Sequence, residues 1–135
     1  MVQTYSPLYV SFFYYFNIKR DYYKCHDLLE ELWLEEGREA YYQGLLQVAV
    51  GLYHLQNDNR NGAVKLLTSA LDKLDLYPDD VWMGLDLVRL KCDVKHYLTR
   101  LQQKACSPQL LSPIVMNFAD PLLKQKVDEM KLIDG

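Results

Sequence analysis

Residues 39–56 read "EAYYQGLLQVAVGLYHLQ" and are apolar almost all the way round a helical projection, which a surface helix with one wet face is not. A helix of this kind has to be enclosed by others. The flanking chain supplies them, because apolar residues recur at helical spacing on both sides and no stretch of useful length alternates as a half-buried strand would. The sequence therefore predicts an all-α fold: a single antiparallel helical bundle of about five helices, with an extended C-terminal tail and a short terminal helix.

Toward the N-terminus, a second helix is expected from Asp21, a suitable N-cap, to Gly37, and a first from Ser6 to Ile18. Pro7 fits that first helix because its opening turn needs no amide donor. The run "PLYVSFFYYF" (7–16) is too short to span a bilayer and has neither a preceding basic residue nor a small-residue cleavage site, so it reads as a packed helix. Toward the C-terminus, "NDNRNG" supplies turn residues. "GAVKLLTSALDKLDLY" (62–77) then forms a helix with Val64, Leu67, Leu71 and Leu74 inward. "YPDD" ends it, and a long fifth helix is expected over 80–105. Pro108, Pro113 and Pro121 punctuate the tail before "PLLKQKVDEMKLI" (121–133). At 135 residues one domain is expected, with a bundle over 1–106 and a tail over 107–135 packing on it.

The formal charge is −3 and the basic residues form no long block, which argues against nucleic acid and against a membrane surface as partners. Lys91, Lys95, Arg100 and Lys104 share part of one helix and read as a solvated face. Cys25, Cys92 and Cys106 make an odd number without a CxxC pair, as expected of a reducing cytoplasm rather than a disulfide framework.

Two polar stripes hold the candidate site. His26, Glu30 and Trp33 lie at i, i+4 and i+7 on helix two, whereas Asp27, Glu31 and Glu35 project elsewhere and can be solvated. Gln43, Gln47 and His54 form the polar stripe of helix three, with Gly44 and Gly51 one step around, where a neighbour could come close. Unpartnered buried polar groups cost about 1–3 kcal/mol each, so the two stripes have reason to face one another. Three uses remain open. One is a buried polar pocket of His26, Glu30, Trp33, Gln43, Gln47 and His54, structural or holding a small-molecule ligand. Another is a metal-dependent hydrolase in which His26, Glu30 and His54 bind a divalent ion (Zn, Mn or Fe) and Asp27 or a bound water moves protons. The last is an interaction or oligomerisation module, a homodimer included, suggested by eleven tyrosines and the tail. The dipeptide Cys25–His26 is a poor catalytic pair, since adjacent helical residues point about 100° apart.

"YYKCHDLLEELW" (22–33) followed by "YYQGLLQVAVGLYHLQNDNRNGAVKLLTSALDKL" (41–74) resembles the domain-of-unknown-function 309 family over about residues 17–76. The family's histidine–acid pair falls on His26 and Asp27, its glutamate on Glu30 and its tryptophan on Trp33. Gln43, Gly44, Gln47 and His54 match its second motif, and Asn59, Gly62 and Ala63 its turn. Asp58 stands where glycine is usual, and Asp27 where glutamate is commoner. The resemblance implies a small all-helical prokaryotic protein, cytoplasmic and without an assigned activity; members have been labelled predicted metal-dependent hydrolases on the same His/acid pattern.

Overall fold

The computed structural model describes residues 5–103 and 111–134, so Lys104 and Cys106 lie outside the described residues. Among the described residues six α-helices follow one another: α1 Pro7–Tyr14, α2 Tyr22–Glu35, α3 Ala40–Gln56, α4 Arg60–Leu74, α5 Leu87–Leu101 and α6 Pro121–Asp134. The described residues are all-α apart from one small hairpin. No helix among the described residues is long and apolar enough to cross a membrane.

The helix ends follow from local chemistry. Ser6 caps α1 by accepting from the Leu8 amide, and Pro7 occupies its first turn. A π-helical turn, Tyr15–Lys19, continues α1 and is closed by Arg20 in the left-handed region at φ 55°. Asp21 caps α2 through the Lys24 amide at 3.0 Å, and Gly37 at φ 79° follows its last turn. Asn59 caps α4, accepting from the Gly62 amide at 2.9 Å.

Packing is largely sequential. Helix α3 lies between α2 and α4, α1 packs on α2, α5 packs on α4, and α6 returns to α1. Tyr41, Leu45, Val48, Ala49 and Leu52 of α3 are all buried, as its all-round apolarity requires. Gly44 and Gly51 serve the α4 side rather than the polar stripe. A Cβ on Gly44 would lie 2.9 Å from a Leu74 methyl, and one on Gly51 would lie 2.9 Å from Leu67 Cγ. Their missing side chains let α3 and α4 approach closely.

The expected long fifth helix is corrected at its start. Val81–Trp82 (β1) and Leu85–Asp86 (β2) form an antiparallel hairpin with pairs Val81↔Asp86 and Trp82↔Leu85, and α5 begins only at Leu87, capped by Asp86. Met83 (φ 48°) and Gly84 (φ 78°) are both left-handed, the backbone of a tight two-residue hairpin turn. Further along, residues 117–119 run beside β2: the Asp86 amide donates to the Asn117 carbonyl and the Ala119 amide to that of Gly84, each at 2.8 Å.

Tyrosine hydroxyls tie this region together. Tyr9 donates to the Met83 carbonyl at 2.9 Å, which leaves the 2.6 Å contact between Tyr9 and Tyr41 to the Tyr41 proton. Tyr77 accepts from the Tyr41 amide at 3.0 Å, and Tyr5 donates to Asp120, which in turn caps the start of α6.

Candidate functional site

The buried stripe of α2 is Tyr22, Cys25, Leu29 and Leu32, which α1 and α3 cover. His26, Glu30 and Trp33 are each one residue further on, about 100° round the helix, and so lie at the edge of the α2–α3 seam. The expected buried polar pocket is therefore corrected: none of its six members is fully buried. The His26 side chain is 41% exposed and that of Glu30 53%. Trp33, Gln43, Gln47 and His54 are half-buried.

Within this seam His26 and His54 do share a cleft. It has a volume of about 200 Å³ and is walled by Tyr22, Tyr23, Val50 and Tyr53, with Asp27 at its edge. Tyr23 and Tyr53 meet across it with ring centroids 5.7 Å apart. The wall is formed by Tyr23, three residues before His26, and by Tyr53, next to His54. Val50 lies one turn before His54 on the same stripe.

The two imidazoles have different surroundings. His26 Nδ1 faces Asp27 Oδ1 at 3.4 Å and its Nε2 faces Glu30 Oε2 at 3.5 Å. His54 Nδ1 faces Asn59 Nδ2 at 3.3 Å. Because Asn59 Oδ1 already accepts from the Gly62 amide, the amide nitrogen is the group turned toward His54. That makes Nδ1 the acceptor and leaves Nε2 as the donor of the neutral ring. Asn59 thus has a helix-capping task and sets a histidine tautomer.

Trp33, Gln43 and Gln47 do not join the cleft. The Trp33 ring carries the Arg38 guanidinium over its face at 5.1 Å, and its Nε1 is shielded without a hydrogen-bond partner among the described residues. Gln47 Oε1 is likewise shielded and unpartnered. No three His, Cys, Asp or Glu side chains among the described residues come together as a set that could hold a metal ion. The residues present therefore do not converge as the metal centre expected of His26, Glu30 and His54: Glu30 lies out on the surface, and the His54 Nδ1 atom is faced by the Asn59 side-chain amide. Cys25 is also out of play as a nucleophile, because burial pushes its thiol well above the ordinary range and its Sγ points at the Phe12 carbonyl.

Among curated proteins, the uncharacterized protein YpuF of Bacillus subtilis (strain 168) is 31% identical over 114 residues, 82% of this chain. The chain spans 66% of the length of that relative. No solved structure matches the chain. Residues 9–66 match the model of a family described as a domain of unknown function, and this segment contains all of the polar and aromatic residues of the cleft. Residues 9–66 thus match the DUF309 family model, the family that the sequence motifs resemble.

Proposed function

We propose that the protein is a small-molecule binding module whose ligand site is the α2–α3 cleft. The observation that carries this reading is the meeting of His26 and His54, from two helices, inside one aromatic-walled cleft of about 200 Å³. Apolar walls with a few convergent polar groups are the usual make-up of a ligand site. The volume lies below the roughly 300–1,000 Å³ of sites for drug-sized ligands, so the ligand is of single-ring size. Its flat body packs against the Tyr23 and Tyr53 rings, and its acceptor takes the His54 Nε2 proton.

Neither nucleic acid nor a membrane is part of this reading, since the basic residues do not gather over the cleft. The free thiols of Cys25 and Cys92 support a reducing compartment such as the cytoplasm. The test is a screen of single-ring compounds followed through the imidazole carbon-bound proton signals in NMR. Compounds that bind are expected to move the His26 and His54 signals together and to bind His54→Ala at least tenfold more weakly. Binders that leave both signals in place, or that bind the variant equally well, would overturn the proposal.

A further inference from the structure

A larger groove lies along α5. Its floor is one stripe of α5, Arg89, Asp93, His96 and Arg100, spaced at helical intervals, and its other wall is the extended segment 111–117. The volume is about 490 Å³, within the roughly 300–1,000 Å³ typical of ligand sites. The extended wall is fastened from three directions. Tyr97 donates to the Ser112 carbonyl and Arg20 to the Ile114 carbonyl, while Asn17 exchanges two bonds of 2.9 Å with the backbone of Met116. A wall held in this way does not have to be ordered when a ligand arrives.

Charge in the groove is unbalanced. Among the described residues Asp93 is the one carboxylate lining it, and Arg89 Nε already holds that carboxylate at 3.2 Å. Arg100 is left without an ion pair among the described residues, and its Nε is shielded from solvent with no hydrogen-bond partner. Of the basic face that the sequence suggests, Lys95 is exposed as expected, whereas Lys91 and Arg100 are not. Lys91 is turned away into a bond with the Tyr77 carbonyl at 2.7 Å, and Arg100 is half-buried against the groove. An unpaired, partly desolvated guanidinium calls for an oxyanion, which it can bind with two parallel donors. Beside it, Leu111, Pro113 and Val115 present apolar surface.

We infer that the groove between α5 and the segment 111–117 binds a small organic anion, its oxyanion on Arg100 and its apolar body along Leu111, Pro113 and Val115. Carboxylates and phosphate monoesters share this chemistry. Benzoate, phenyl phosphate and neutral benzyl alcohol, titrated into the ¹⁵N-labelled full chain, test the inference. The Arg100 Nε–H signal, identified by its loss in Arg100→Gln, is the reporter.

At least one of the two anions is expected to move that signal and the amides of Ser112, Ile114 and Val115 saturably, and the tighter of the two identifies the head group. Benzyl alcohol is expected not to bind. Arg100→Gln should weaken anion binding about ten- to a hundredfold while the remaining amide spectrum stays native. Val115→Asp places a like charge on the exposed part of the wall, and at least tenfold weaker binding is expected there as well; it decides the matter if Arg100→Gln fails to fold. Anion shifts no larger than those from chloride at equal ionic strength would overturn the inference. So would benzyl alcohol binding as tightly as phenyl phosphate, or undiminished binding by a folded variant.

Discussion

Asn59 shows how one side chain couples a helix end to the chemistry of a neighbour. Its Oδ1 is committed to the Gly62 amide, so its Nδ2 selects the His54 tautomer. Asn59→Asp keeps a good cap, and stability should change by less than about 0.5 kcal/mol. The new oxygen facing His54, however, needs a donor on Nδ1. The neutral ring is therefore expected to carry its proton on Nδ1 in the variant and on Nε2 in the parent, as read from imidazole ¹⁵N shifts. An unchanged tautomer would show that Asn59 does not set it. Glu30 is the converse case. Helical spacing correctly aligned it with His26, but spacing cannot tell whether a stripe lies under the neighbouring helix or beside it. With its side chain 53% exposed, the His26–Glu30 pair is a surface contact, so Glu30→Ala should cost no more than about 0.5 kcal/mol in denaturant unfolding. A loss above about 1 kcal/mol would restore the buried network that the sequence suggested.

At the scale of elements, the enclosed character of α3, the Asp21 cap and the stop at Gly37 were legible because each depends on a few adjacent residues. The hairpin was not. Two-residue strands are too short to show alternation, and the apolar, charge-spaced run from Asp80 onward has the period of a helix. The one local clue was Gly84, which a helix reading leaves unexplained. The left-handed backbone there disfavours side chains, and an added Cβ would lie 2.6 Å from the Tyr5 hydroxyl and 3.1 Å from Leu123. Gly84→Ala is expected to destabilise the protein by about 2 kcal/mol or more, combining the left-handed penalty with overpacking. Gly51→Ala sets two effects against each other: the better helix propensity of alanine is worth about 1 kcal/mol, while crowding of the buried Leu67 branch point costs about 1–3 kcal/mol. Net destabilisation is expected, smaller than that of Gly84→Ala, and a reversal of that order in urea midpoints would contradict the packing described here.

Across the whole molecule, the tyrosines noticed only as an unusual number join parts of the chain far apart in sequence. Their partners could not be foreseen, because a hydroxyl bond from Tyr9 to residue 83 or from Tyr5 to residue 120 follows from tertiary packing and leaves no local periodicity. These links have a thermodynamic signature. Burial, aided by neighbouring acidic groups, raises the Tyr5 and Tyr42 hydroxyls from 10.0 to about 12, and burial does the same for Tyr97. Tyr9 and Tyr41 are pushed up further, chiefly by desolvation. Each folded-state value lies above the unfolded one, so the unfolded chain gives up these protons first. Their contribution to stability is fully present below pH 10 and is lost as pH rises through about 12. Urea midpoints should accordingly fall steeply over that window, with tyrosinate absorbance growing only as the helical signal disappears. Tyr41→Phe, about 1–2 kcal/mol less stable at neutral pH through its lost hydroxyl bonds, should show a shallower alkaline decline. Tyrosinate absorbance that reaches completion while the helices persist would show that the buried hydroxyls titrate freely and do not hold α1, α3 and the hairpin together.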